Sequence, residues 1–315
     1  MSTEHLWESV RHLPDQLRDI AVAASEIEGL PDTTSVRSIV IFGTGAARVA
    51  GDVIEAICEL RSSVPVVATA ARCPAWVNET TLALAVSPSG DDAGVLEAAE
   101  AARDAGASVI AVTAGGALGA AAASWQVATV PVDPDAGPAA ALGVSVVPVL
   151  VLFERLGFVS GMTRTVMEAA DRAATRIESL VDNDVVSTLA TLLPGRLAMV
   201  TAAGSMGKHA ARRWVQELDQ VGEVAAVRRR LPTGGIDLEA GRRLAATTKD
   251  GAVLILLRHD AEPGGLDGSV GLAHEQFEHV VEIRAEGDGP LAQLMDLVLI
   301  ADAVAAQLRT YREQV

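Results

Sequence analysis

Three short loops hold the residues best suited to chemistry in this chain of 315 residues. They are Gly43-Thr44-Gly45-Ala46-Ala47-Arg48, Ser87-Pro88-Ser89-Gly90-Asp91-Asp92 and Gly204-Ser205-Met206-Gly207-Lys208-His209. Each ends an apolar run and opens a helix-periodic segment. Hydroxyls and backbone amides therefore collect at a helix N-terminus, where partial positive charge favours an anion. The second loop sets this against its own charge. Ser87 and Ser89 favour an anion, Pro88 removes one amide donor, and Asp91 and Asp92 enter the helix as capping acids. A cap contributes about 1 kcal/mol, whereas like unit charges 4 Å apart cost about 4 kcal/mol at intermediate dielectric. The loop has the shape of a phosphate cradle and the wrong charge for one. Arg48, in the neighbouring loop, is expected to pair with Asp91 or Asp92 and take the space of a phosphate. The plainer alternative is a solvated arginine beside two capping acids.

The first loop fails as a dinucleotide fingerprint. Arg48 replaces the third glycine, and the second strand does not end in an acid able to hold a ribose. Gly43 and Gly45 either contribute to a binding loop or simply turn strand into helix. The third loop has Lys208, His209, Arg212 and Arg213 nearby, and Arg228-Arg229-Arg230 follow the next strand. In an acidic chain this is the one basic concentration. It is either an anion site or a solvated basic face.

These loops need a scaffold of strands alternating with helices. Strands are predicted at 38–42, 65–68, 82–86, 108–112 and 125–130, with helices over 7–27, 47–60 and 93–105 and a long buried helix after Pro138. The pattern restarts with helices over 163–180 and 185–193, strands at 196–200, 223–227, 252–257 and 279–283, and helices over 208–220, 237–246 and from Pro290 onward. Pro263 to Gly268 reads as loop. Such alternation predicts two α/β halves with doubly wound parallel sheets, a weak internal repeat. Half the residues are apolar and few are aromatic, as two-faced Ala/Val/Leu sheets require.

A net charge of −16 argues against nucleic-acid or anionic-membrane partners. Cys58 and Cys73 give neither a disulfide framework nor a metal motif, and no metal or cofactor is expected. The N-terminus has no signal-peptide pattern, and the apolar run 139–153 is too short to span a bilayer, so a cytoplasmic protein is expected.

Read together, GTGAARVAGD, VPVVATAARCPAWVNETTLALAVSPSGDDAGVLEAA, GPAAALG, ARRWVQELDQ and EGDGPLAQLMDLVLIAD resemble the bifunctional phosphoglucose/phosphomannose isomerase family, in the family's order and over nearly the whole chain. The resemblance implies two SIS (sugar isomerase) domains, each a flavodoxin-like three-layer sandwich with a mostly parallel five-stranded sheet. It places a leading helix at 1–30, SIS domain 1 at 31–157, linking helices at 158–192 and SIS domain 2 at 193–315. It also implies a homodimer that binds a sugar or sugar phosphate in the cleft between halves.

The family's functional positions are largely replaced. Its phosphate-binding serine in the first loop is Ala47, beside Arg48. The Asn-Thr of its second loop is Asp91-Asp92. Its enediolate-steadying arginine is Ala139. Its catalytic glutamate aligns with Gln220, and no ring-opening histidine lies between Arg228 and Gly241. Aldose–ketose isomerisation moves a proton between C1 and C2 and needs a base, a ring-opening group and a cation for the oxyanion. An amide cannot take the proton, and losing a base alone typically costs about 10²–10⁴-fold. The chain thus resembles a divergent, TobH-like branch of the family: a carbohydrate-derivative binder with the isomerase set largely missing. Two alternatives stay open. One is an active phosphosugar isomerase with a rearranged site using Glu217 or Glu223 with His209. The other is a non-catalytic dimeric scaffold or regulator.

Overall fold

The computed structural model describes residues 3–59, 61–133, 138–180, 183–230, 243, 246 and 251–313. The chain divides into two compact units, one of His12–Ala170 and one of Met1–Arg11 with Asp171–Val315. The division falls within a helix, α6 (Met162–Leu180), inside the stretch read as linking helices.

The first unit takes most of α1 (Thr3–Ser25), then β1 (Ser38–Phe42), α2 (Gly45–Cys58), β2 (Val66–Thr69), β3 (Thr81–Val86) and α3 (Ala93–Asp104). After these come β4 (Ser108–Val112), α4 (Gly116–Trp125), β5 (Thr129–Val130) and α5 (Pro138–Arg155). All pairings are parallel in the order β2-β1-β3-β4-β5. Every residue of β3 is buried, which is why its run is continuous rather than alternating. Val40, Phe42, Ala83 and Ala85 pack on α3 and α4 through Val95, Ala99, Leu118 and Ala122. On α5, Gly143 permits close approach: a Cβ there would lie 2.5 Å from Cδ2 of Leu17 on α1.

The second unit continues with α7 (Asp184–Leu192), β6 (Leu197–Ala202), α8 (Gly204–Gln220), β7 (Ala226–Arg230) and β8 (Ala252–Arg258). It ends with α9 (Asp267–Gln276), β9 (His279–Arg284) and α10 (Pro290–Glu313). Its sheet is also parallel, in the order β7-β6-β8-β9. Helix α10 is long and apolar enough to cross a membrane, but 94% of its apolar window is buried inside the protein.

Parallel α/β sheets with covering helices are as expected. The second sheet has four strands among the described residues, one fewer than expected. Helices α4 and α9 lie where the sequence reading had no helix, and Trp125 ends α4 rather than opening β5. Strand β7 starts three residues later than expected, which places Arg228, Arg229 and Arg230 within it. The helix expected over 237–246 lies almost wholly outside the described residues.

In each sheet the chain changes direction once, between β1 and β3 and between β6 and β8. Crevices at the carboxyl ends of strands at such points are where open α/β sheets bind ligands.

Candidate functional site

In the first unit, the loop after β1 and the loop after β3 face each other across the crevice. Thr44 is the N-cap of α2, with extended backbone and no side-chain cap of its own. Its hydroxyl instead donates to Oδ2 of Asp92. Oδ1 of Asp92, the N-cap of α3, accepts the Val95 N–H at 3.0 Å. The Thr44 hydroxyl holds the Asp92 carboxyl below its usual range; the Val95 and Gly94 amides act with it, and partial burial opposes them. A hydroxyl and two helix N-terminal amides are the donors an incoming anion would use. Here a carboxylate of the chain itself has them.

The rest of this loop is closed on itself. The Gly90 N–H donates to Ser87 O at 2.9 Å, the Ala114 N–H to Pro88 O at 2.9 Å, and the Leu118 N–H to Gly90 O at 2.9 Å. The Asp91 N–H donates to the Ser89 hydroxyl at 3.3 Å. Gly90 is required here: its φ is +77°, and a Cβ would lie 1.8 Å from Gly115 O. Ser87 is buried and Ser89 exposed.

Arg48 does not join the two aspartates. Its guanidinium pairs with Asp52, one turn along α2. The expected pairing with Asp91 or Asp92 is thereby corrected: an i,i+4 partner on the same helix needs no loop approach. Ala47 is buried on the first turn of α2, and its methyl has no donor to offer. Ala139 lies in the first turn of α5.

The second unit is arranged differently. Helix α8 opens at Gly204 behind an N-cap, Ala203, that has no side chain able to cap it. A cavity of about 630 Å3 is lined by Ala202, Gly204, Ser205, Lys208, Ala211, Arg228 and Arg229. Arg228 Nη1 donates to the Lys208 carbonyl at 3.3 Å, tying β7 to α8. His259, which follows β8, is 1% exposed, and its Nε2 lies 2.9 Å from Ala203 O just past the end of β6.

The candidate bases sit elsewhere. Glu217 is buried, with Oε1 2.7 Å from Arg213 Nη1, and Arg213 Nη2 lies 3.3 Å from Oδ1 of buried Asp302. Burial pushes the Glu217 carboxyl up against the pull of Arg213. Burial pushes Asp302 well above its usual range, and the neighbouring Glu217 adds to the rise against Arg213. One guanidinium faces two acids, which compete for it. Trp214 donates to Leu297 O at 2.8 Å, fixing the same stretch of α8 on α10. Glu223 is exposed and pairs with Arg312 Nη1 at 2.6 Å. Gln220 is exposed at the last position of α8, and His209 is buried on that helix. Of the site candidates in this unit, only Ser205 and Lys208 line the cavity. Arg228 and Arg229, read from the sequence as part of a basic concentration that is either an anion site or a solvated face, line it with them. Their signal was three consecutive arginines in an acidic chain.

Residues 182–313 match the family model of the bacterial phospho-glucose isomerase C-terminal SIS domain. The chain is 24% identical over 321 residues to the bifunctional phosphoglucose/phosphomannose isomerase of Caldicellulosiruptor bescii, covering 97% of this chain and 93% of that one. It is 28% identical over 222 residues to the protein of the same name from Thermoplasma acidophilum, covering 70% and 64%. Its fold superposes with a TM-score of 0.73 on the C-terminal domain of glucosamine-fructose-6-phosphate aminotransferase from Francisella tularensis, at 12% identity and 99% coverage of both chains. Tagatose-6-phosphate ketose/aldose isomerase from Escherichia coli gives a TM-score of 0.66 at 15% identity, covering 97% of this chain and 93% of that one. The family likeness read from the sequence therefore stands: this is an SIS-fold relative of the bifunctional phosphoglucose/phosphomannose isomerases, with their C-terminal SIS domain at residues 182–313.

Proposed function

We propose that this protein binds a sugar phosphate and does not interconvert aldose and ketose forms by the family's route. Sugar-phosphate binding is supported by the likeness to the phosphosugar isomerases, and the observation that carries the loss of the family's route is the Asp92 carboxylate, which takes the Thr44 hydroxyl and the Val95 amide at the mouth of the first sheet. A phosphate carrying nearly two negative charges would have to displace a carboxylate that those donors already favour as an anion. The proton-transfer positions support the same conclusion. Gln220 offers an amide where a carboxylate is needed, and Glu217 is committed to Arg213 deep in the second unit. Using Glu217 as a base would mean breaking a buried ion pair, at a cost of about 3–5 kcal/mol. A rearranged isomerase therefore finds no support among the described residues. Resemblance to a family whose members pair across these sheets favours a homodimer, which light scattering would check.

Two measurements on the purified protein test the proposal. Glucose 6-phosphate or fructose 6-phosphate should raise the melting temperature by a few degrees. Fructose 6-phosphate should give no aldose above the uncatalysed background. Rapid aldose formation would overturn the loss of isomerase chemistry, and a melting curve indifferent to all hexose phosphates would overturn ligand binding.

A further inference from the structure

The geometry points to a second-unit anion site: the cavity between α8, β6 and β7 holds the phosphoryl group of a phosphorylated small molecule. This rests on the sugar-phosphate proposal above and specifies where that ligand is held. The wall carries three cationic side chains, Lys208, Arg228 and Arg229, one hydroxyl, Ser205, and the glycine that opens α8, with no carboxylate among the described residues that line it. None of the three cations forms an ion pair with an acid among the described residues. In a chain of net charge −16, surface cations readily find acidic partners. Three without such a partner among the described residues, gathered round one hollow, create a local reversal of the field.

Three further features aim this charge at a ligand. First, α8 begins without a side-chain cap, so its first amides remain available to an anion at the cavity. This is the reverse of α3, where Asp92 takes that place. Second, Ser205 and Lys208 stand three residues apart on one face of α8, and both line the cavity. Third, Arg229 Nε is buried without a hydrogen-bond partner among the described residues. A buried guanidinium nitrogen left unsatisfied is costly, and a bound oxyanion is the acceptor that a planar guanidinium fits best. The volume of about 630 Å3 exceeds the needs of a bare phosphate and leaves room for an organic group of sugar size.

The test uses the full chain with inorganic phosphate and glucose 6-phosphate as probes, read by calorimetry and thermal shift. The variants are Lys208→Ala, Lys208→Glu, Arg229→Ala and, in the first unit, Ser89→Ala. Circular dichroism would confirm that each is folded. Charge-assisted contacts of this kind change affinity about tenfold or more each. Wild type should bind both probes, more weakly as salt rises. Lys208→Ala and Arg229→Ala should each weaken binding by about tenfold or more, Lys208→Glu should abolish it, and Ser89→Ala should leave it unchanged. Unaltered binding in the Lys208 and Arg229 variants would overturn the second-unit site while leaving the sugar-phosphate proposal intact. No saturable binding of either probe to wild type would overturn both. Turnover of fructose 6-phosphate with binding still lost in the Lys208 and Arg229 variants would overturn only the loss of isomerase chemistry.

Discussion

The Thr44 hydroxyl donates to the Asp92 carboxylate, linking residues 48 positions apart at the carboxyl ends of β1 and β3. The bond makes one side chain both the cap of α3 and the anion of the first crevice. Replacing Asp92 by alanine removes the cap and should cost about 1 kcal/mol, read as a lower denaturation midpoint with an unchanged slope. The pH dependence has a definite sign. The folded-state pKa of Asp92 is lowered, so its contribution is present above the ordinary aspartate pKa and is lost as pH falls through and below that value. The gap between wild type and Asp92→Ala should therefore shrink on acidification. A gap that widened in acid would contradict the Thr44–Asp92 pairing.

The Arg213–Glu217–Asp302 cluster predicts the opposite sign. Burial raises the pKa of Asp302, so its contribution is fully present below the unfolded aspartate pKa and is lost as pH rises from there through the folded value. Asp302→Asn keeps the shape without the charge that must form as pH rises. It should gain stability relative to wild type between acid and neutral pH. Arg213→Met, by contrast, strands two buried acids and should cost about 3–5 kcal/mol at neutral pH. Urea titrations at several pH values would check both.

Which parts of this were legible beforehand follows from the physics. A strand buried on both faces, such as Leu82 to Val86, announces itself as a continuous apolar run, and all five residues are buried. Helix α4 was not legible, because GALGAAAASW has neither a polar face nor a cap and only Leu118 and Ala122 are buried. Helix α9 hides among glycines. The loop at 87–92 was placed correctly on sequence signals, whereas residues 204–207, read as loop, form the first turn of α8, and α2 opens at Gly45 rather than Ala47; the partners of Arg48 were not legible. Whether Arg48 turns to Asp52 on its own helix or to Asp91 and Asp92 depends on how β1 and β3 align, which sequence spacing does not encode. The cavity beside Lys208 and Arg229 likewise depends on β7 lying next to β6, with Arg229 in register with Thr201.

The two thiols should differ sharply. Cys58 is buried on α2, and burial pushes its thiol up to about 12. Cys73 is half-buried, and burial raises its thiol as well. Only the thiolate attacks a disulfide reagent. At pH 8 the native protein should therefore release slowly the equivalent of one thiol, from Cys73, and in denaturant both should react at once. A Cys73→Ser variant that still reacted promptly in the native state would contradict the packing of α2.

Gly90 provides the most local prediction. Its positive φ closes the Ser87 turn, and its α-carbon lies against the carbonyl of Gly115. Alanine there meets two obstacles at once: a left-handed conformation that costs about 1 kcal/mol, and a clash with backbone, which cannot swing away as a side-chain tip can. The sum should be roughly 2–4 kcal/mol. The Leu118 amide, which donates to the Gly90 carbonyl at 2.9 Å, reports on the same contact. Faster exchange at Leu118 in Gly90→Ala, with protection in β6 and β8 unchanged, would place the damage in the first unit. Uniform protection across both units would show that the turn tolerates a methyl group and that the close approach of the two loops is not a requirement of the fold.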